Sequence, residues 1–297
     1  EPRHTIGWYR RQISIPGHWC GQRVILKFGA SDWHTMVWVN GKCVGEHQNG
    51  YLPFEFDITE SLVDDVPSCV VVRVFDPQDH SQQPVGKQYG WYTRTSGIWQ
   101  TVYLEPRSET FIKSFKIYPD IDVAEARVDI QVGGTDLNDL SFRLDTDAPL
   151  EKVDIEMFDD HAVCVIEIQK AKLQLWDMDN PHLYDLDIQL VKDDNVIDHV
   201  STYFGMRKVS RQVLPGTDYE YIYLNNLPIY LLGALNQSFS TEGVYTFLDD
   251  DQIRADITRA KEFGFNFLRL HIKIDEPRLY YWADRLGMLF MCDIPNL

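Results

Sequence analysis

The segment Asp249-Asp250-Asp251-Gln252-Ile253-Arg254-Ala255-Asp256-Ile257-Thr258-Arg259-Ala260-Lys261-Glu262-Phe263-Gly264-Phe265-Asn266-Phe267-Leu268-Arg269-Leu270-His271 passes from a helical to a strand pattern. Three acidic residues open it, where a helix N-terminus favours negative charge. Ile253, Ile257, Ala260 and Phe263 then recur on one helical face, and Gly264 supplies the C-terminal stop. Residues from Phe265 to His271 read as a strand. A second cycle follows, with Asp275 as cap, Pro277 in the first turn, Leu279, Trp282 and Leu286 on the buried face, and Gly287 as the end. A strand over 288–291 comes next, and another over 231–235 precedes the first helix. Strand–helix–strand–helix–strand with short connections predicts parallel strands.

Upstream of this stretch the period falls to two. A hairpin is expected from Tyr221–Leu224 to Ile229–Leu232 through Asn225-Asn226. Before Gly205, Ala126, Val128, Ile130 and Val132 alternate with polar residues, as do Val153, Ile155 and Met157, and Tyr184, Leu186, Ile188 and Leu190. Short strands of this kind over about 100 residues fit an immunoglobulin-like sandwich, though without a Cys–Trp–Cys pattern. Pro106 marks a boundary, and a further set of strands lies before it. Val24, Leu26 and Phe28 alternate, Val70-Val71-Val72 reads as a buried run, and Asn40-Gly41 makes a tight hairpin after Met36–Val39.

The 297 residues carry 28 basic and 45 acidic side chains, a net charge of −17. Such a chain lacks the basic footprint of a nucleic-acid binder and is repelled by anionic lipid, so neither nucleic acid nor membrane is an expected partner. The longest uncharged apolar stretch, Leu227 to Leu235, is about half a bilayer span. A soluble protein is expected, with the compartment open between cytoplasmic and periplasmic or secreted. Five widely spaced cysteines give neither zinc spacing nor a complete disulfide set, and they read as buried free thiols. No metal site or cofactor is expected, and nothing points to a supporting divalent or monovalent cation; Asp249-Asp250-Asp251 reads as a dipole partner. The start at Glu1-Pro2-Arg3 reads as a cut inside a longer chain.

The order of these parts carries a resemblance. Gly7-Trp8-Tyr9-Arg10-Arg11, Val37-Trp38-Val39-Asn40-Gly41-Lys42, Pro53–Thr59 and Thr95-Ser96-Gly97-Ile98-Trp99-Gln100 resemble the sugar-binding domain of glycoside hydrolase family 2. That family includes β-galactosidases, β-glucuronidases and β-mannosidases. Trp176 with Asn180–Tyr184, then Phe204-Gly205-Met206-Arg207, resemble its immunoglobulin-like domain. Arg269 with His271, and Tyr281–Gly287, resemble the opening of its catalytic barrel. The expected fold is therefore multidomain and mainly β. A jelly-roll-like sandwich over 1–107, lacking its N-terminal strands, precedes an immunoglobulin-like sandwich over 108–208. The first units of a (β/α)8 TIM barrel follow over 209–297.

The resemblance implies a retaining exo-glycosidase using two glutamates on later barrel strands, and an eight-unit barrel needs about 200–250 residues. Both glutamates are expected beyond Leu297, so this chain is expected to have no catalytic residue and no activity of its own. What it contributes is the rim of a pocket for a terminal β-glycoside, with a β-galactosidase as the expected parent. Arg269 and His271 end the second barrel strand and Asp293 the third, the face where such barrels gather their sites. Arg269 with Asp293 also reads as a structural ion pair. Asn236-Gln237 follows the first strand, where the better known β-galactosidases read Asn-Arg-His and another branch reads Asp-Gln. The Asn236-Gln237-Ser238 sequon faces the pocket in this reading and is not expected to be glycosylated. Tyr89 and Trp91, in a long loop of the first sandwich, are candidates to touch the sugar. The alternatives are a β-glucuronidase or β-mannosidase, a non-catalytic carbohydrate-binding tandem sandwich, and a pseudoenzyme. An open three-stranded sheet is further expected to drive self-association.

Overall fold

The computed structural model describes residues 5–63, 66–77, 84, 85, 88, 92 and 94–295. Tyr89 and Trp91 lie outside these described residues. The first nine strands are β1 (Ile6–Ile13), β2 (Arg23–Phe28), β3 (Ser31–Asp32), β4 (His34–Val39), β5 (Lys42–Gln48), β6 (Phe54–Asp57), β7 (Ser68–Phe75), β8 (Gly97–Ile98) and β9 (Val102–Arg107). Two antiparallel sheets, ordered β1-β7-β4-β5 and β6-β2-β9, close on a core of Val24, Leu26, Phe28, Val37, Val39, Ile58, Val70, Val72 and Val74. The valine run alternates rather than staying buried: β7 has only one covered face, so Val71 turns outward between Val70 and Val72. Pro106 lies inside β9 opposite Val24 rather than ending it. Because β9 is the outer strand of its sheet, the missing N–H costs no ladder bond.

The second sandwich comprises β10 (Thr110–Asp120), β11 (Glu125–Gly134), β12 (Leu140–Thr146), β13 (Leu150–Met157), β14 (His161–Ile168), β15 (Tyr184–Lys192) and β16 (Asn195–Phe204). Sheet β10-β11-β14-β13 faces sheet β12-β15-β16, which is the strand order of a constant-type immunoglobulin domain. Alternation buries Ala126, Val128, Ile130, Cys164, Ile166, Leu186, Ile188 and Leu190 between them. Tyr184, 2 % exposed, accepts a hydrogen bond at its hydroxyl from Gln174 N (2.8 Å). This is the tyrosine corner of such sandwiches, at the start of the sixth strand. Of the five free cysteines only Cys164 is fully buried, its thiol pushed up to about 11 by that burial. Cys20, Cys43 and Cys292 are exposed, contrary to the expectation from spacing alone.

A hairpin sheet of β17 (Val209–Val213), β18 (Glu220–Leu224) and β19 (Leu227–Pro228) leads to a parallel sheet. That sheet is β20 (Gly233–Asn236), β21 (Phe267–Leu270) and β22 (Leu289–Cys292), each bound within two residues of its expectation. Between them lie α1 (Asp250–Glu262) and α2 (Pro277–Leu286). The α1 cap is Asp249, which accepts from Gln252 N (2.9 Å), while Asp250 and Asp251 pair with Arg278 and Arg254. Ile253, Ile257, Leu268, Leu270, Leu279 and Ala283 form the core on the helical side. Phe263 does not join it: the helix stops at Glu262, and Phe263, its C-cap, is 74 % exposed. Asp275 does not cap α2 either. Pro277 occupies the first helical position, so Glu276 is the N-cap.

Two sets of contacts hold this unit to the sandwiches. The Asp284 carboxylate of α2 accepts from Arg207 Nη1 (2.6 Å) and Tyr203 OH (3.1 Å), and its carbonyl accepts from Trp176 Nε1 (2.6 Å). Lys261 Nζ donates to the carbonyls of Met178 and Leu286, both at 2.6 Å. On the other side, Tyr245 OH meets Tyr51 OH at 3.1 Å and packs on Trp99. No helix of the described residues is long and apolar enough to cross a membrane.

Candidate active-site rim

In a parallel sheet with both connections helical, the carboxyl ends of the strands share one edge. Here that edge carries Asn236, His271 and Asp293. His271 N donates to Asn236 O (2.9 Å) and Asp293 N donates to Leu270 O (3.0 Å), which fixes their level. Arg269 pairs in register with Leu235 and Met291. All three turn to the face opposite α1 and α2, since their neighbours Leu268 and Leu270 fill the helical core.

Arg269 forks onto Asp293, Nε to Oδ1 at 3.1 Å and Nη2 to Oδ2 at 2.8 Å. A two-point guanidinium–carboxylate pair of this kind is directional and strong for its exposure. Hydrogen bonding from Arg269 holds the Asp293 carboxyl below the usual aspartate range, and neighbouring His271 adds to the effect. Asn236 is half-buried, and its Oδ1 accepts from Ser238 N (2.7 Å), bending the loop after β20. Ser238 is itself 2 % exposed, so the sequon is folded inward. Beside it the Gln237 amide oxygen is buried without a hydrogen-bond partner among the described residues.

The sequence reading missed the group beneath this edge. Lys273 and Asp275 are both fully buried and meet at 2.7 Å. Lys273 Nζ also donates to the carbonyls of Ser238 (2.9 Å) and Tyr245 (2.7 Å), and lies 4.4 Å from the Tyr245 ring centroid. Burial pulls the ammonium down and pushes the carboxyl up, and their mutual attraction opposes both shifts. Burial likewise raises the Tyr245 and Tyr51 phenols. One lysine thus ties the loops after β20 and β21 together, against aromatics of the first sandwich. The sequence signal was Ile272-Lys273-Ile274-Asp275, charges alternating with isoleucines where a solvated loop would have none.

The first sandwich also reaches this edge directly. Tyr92 stacks on Phe239 with ring centroids 4.1 Å apart and planes at 19°. Buried Asp76 pairs with Arg94 (3.0 Å) and accepts from Ser96. The arrangement offers guanidinium and amide donors, a carboxylate held low by Arg269, an imidazole and aromatic faces. Among the described residues no group of three or more His, Cys, Asp or Glu is disposed to hold a metal ion.

Residues 2–107 match the family described as "Glycosyl hydrolases family 2, sugar binding domain", and residues 110–207 match "Glycosyl hydrolases family 2". A β-galactosidase of Thermoanaerobacter pseudethanolicus is 26 % identical over 318 residues, covering 100 % of this chain and 40 % of that protein. A β-glucuronidase of Streptococcus agalactiae is 24 % identical over 319 residues, covering 99 % of this chain and 50 % of its own length. The structure of β-glucuronidase 3 from Bacteroides uniformis has the same fold over 98 % of this chain and 38 % of that one, with a TM-score of 0.81 at 22 % identity. The chain therefore spans half or less of the length of these proteins.

Proposed function

The chain belongs to glycoside hydrolase family 2, and we propose that it supplies the N-terminal part of a retaining, exo-acting glycoside hydrolase that releases terminal β-linked sugars, β-galactosides first among them. In this reading residues 1–107 and 108–208 are the two supporting sandwiches, and residues 209–297 open the catalytic (β/α)8 barrel. The observation that carries it is the Arg269–Asp293 fork at the carboxyl edge of parallel strands, with Tyr92 of the first sandwich stacked on Phe239 in the loop after β20. Barrel enzymes assemble their sites at that edge.

Retaining hydrolysis needs an acid and a nucleophilic carboxylate roughly 5–5.5 Å apart. Asp293, committed to Arg269, has the role of a fixed negative charge rather than of either reacting group. Arg269 keeps N–H donors beyond the two it spends on Asp293, and they serve to orient a sugar hydroxyl or a reacting carboxylate. His271 and the Asn236 amide nitrogen are the further hydroxyl contacts. The two reacting glutamates are assigned to barrel strands outside this chain.

The test is turnover of chromogenic β-galactoside and β-glucuronide by the parent polypeptide, by its Arg269→Met variant and by residues 1–297 alone. Turnover by the parent is expected, with kcat/KM falling about a hundredfold or more in the variant, the size of losing a charged positioning group. Residues 1–297 are expected to give background rates. Activity of the short chain that vanishes in its own Arg269→Met form would overturn the assignment of the glutamates. Turnover of the glucuronide alone would move the parent among the β-glucuronidases.

A further inference from the structure

Both ends of the segment from Ser238 to Tyr245, in the loop after β20, are gripped by one ammonium. Lys273 Nζ donates to Ser238 O (2.9 Å) and to Tyr245 O (2.7 Å), and it meets Asp275 Oδ1 at 2.7 Å. An ammonium has three N–H donors, so all of them are spent on this grip. A surface segment whose ends are drawn together in this way is an Ω-loop. Inside it Ser240 N donates to Val244 O (2.9 Å), and Ser240 Oγ accepts from Gly243 N (3.2 Å). The neck of the loop leads straight to the rim, because Ser238 N is the donor that occupies Asn236 Oδ1 (2.7 Å). With that oxygen occupied, the Asn236 amide presents its Nδ2–H donors to the edge.

The first sandwich meets the same neck. Tyr245 is 4 % exposed and Tyr51 6 % exposed, and Tyr245 OH donates to Tyr51 OH at 3.1 Å. Tyr51 stands on a fixed corner. Its N–H donates to Asn49 Oδ1 (2.8 Å), and Trp99 Nε1 donates to the carbonyl of neighbouring Gly50 (2.7 Å). The Trp99 ring packs on Tyr245 with centroids 4.8 Å apart and meets Tyr51 edge-on at 6.2 Å and 74°.

We propose that Tyr51 is a positioning residue for the sugar pocket: through Tyr245 and Lys273 it holds Asn236 where its amide donates to the substrate. The proposal rests on the reading of the parallel-strand edge as a glycosidase rim. It gives Tyr51 a part in substrate binding without a contact of its own with the sugar. Every link from Tyr51 to Ser238 is a directional hydrogen bond between buried groups, so a displacement at one end is passed along rather than absorbed by solvent.

A double-mutant cycle on Tyr51→Phe and Tyr245→Phe tests it. In residues 1–297 each single variant is expected to speed hydrogen exchange of the Ser238 amide about tenfold, the scale of one hydrogen bond, with the amides of β4 and β7 unchanged. The double variant is expected to be no faster than either single one, because both changes cut the same link. In the parent polypeptide each variant should raise KM for the glycoside about tenfold and keep kcat within about twofold, since a displaced binding contact weakens ground and transition states alike. Partial unfolding does the reverse: it lowers the apparent kcat at constant KM, and circular dichroism reads the folded fraction. Unchanged Ser238 exchange in both single variants overturns the proposal. So do effects of the two changes that multiply to about a hundredfold, or a fall in kcat at constant KM. If the parent hydrolyses no glycoside, the reading of the rim fails, whereas the exchange cycle still decides whether Tyr51 holds Asn236.

Discussion

At the scale of single residues, the buried Lys273–Asp275 pair has the sharpest consequences. Removing one partner from a buried pair leaves a charge without compensation and costs about 3–5 kcal/mol, whereas replacing both with apolar groups costs far less. Lys273→Met should therefore lower the temperature of the first unfolding transition strongly, and Lys273→Met/Asp275→Leu should recover most of the loss. The single variant's deficit should also depend on pH. With Lys273 gone, burial remains the largest influence on Asp275 and raises its folded pKa above the unfolded value. The penalty is then full above the folded pKa and disappears as pH falls through the unfolded value, near 4. Calorimetry at about pH 7 and about pH 4 checks this, and a deficit that is flat across that window refutes it. The place of Arg269 and His271 at the end of β21 was legible in the sequence because the strand pattern runs out there. Lys273 and Asp275 were not, because Asp275 also satisfies the pattern of a helix cap, and only Pro277 at the first helical position moves the cap to Glu276.

At the scale of elements, alternation exposed strands such as β2, β11, β13 and β15 but left β3, β8, β10, β12 and β16 unread, and failures of burial fell where tertiary neighbours decide it. Val71 and Phe263 look identical to their buried companions in sequence; sheet position and helix end put them outside. The tyrosine corner went unread because its partner is a backbone N–H ten residues away, which leaves no trace in side-chain pattern. Tyr184→Phe should cost about 1 kcal/mol, the net worth of one buried hydrogen bond, read as a lower melting temperature of the second sandwich. Asp284 has a different element-scale role: it joins α2 to three residues of that sandwich or its C-terminal extension. Asp284→Ala should leave both sandwiches intact but raise amide exchange in α2 and β22. Unchanged exchange there would show that Lys261 and the apolar core suffice. Acid should loosen the first sandwich. Hydrogen bonds from Arg107 hold Glu55 low, and those from Lys27 and Arg107 outweigh the burial that would raise Glu105. Their stabilisation is present above the unfolded glutamate pKa and is lost as pH falls through the depressed folded values, so the first sandwich should melt lower at about pH 3 than at about pH 6.

At the scale of the whole molecule, three parallel strands leave both outer edges unpaired and one face without helices among the described residues. Leu235 is 50 % exposed and Met291 46 % exposed on that face. Residues 1–297 should accordingly associate with rising concentration, more so in salt, which screens the net charge of −17. Light scattering checks this, and a concentration-independent monomer would show that the face is tolerated bare. The same open sheet is anchored at two places, through Asp284 to one sandwich and through Lys273 and Tyr245 beside the other. During synthesis the chain leaves the ribosome from its N-terminus, and domains fold as units in that order. Both anchoring surfaces are therefore finished before the first parallel strand is made. Each newly made strand and helix meets a rigid jig instead of open solvent, so the non-local pairing of β20, β21 and β22 is guided from its first strand.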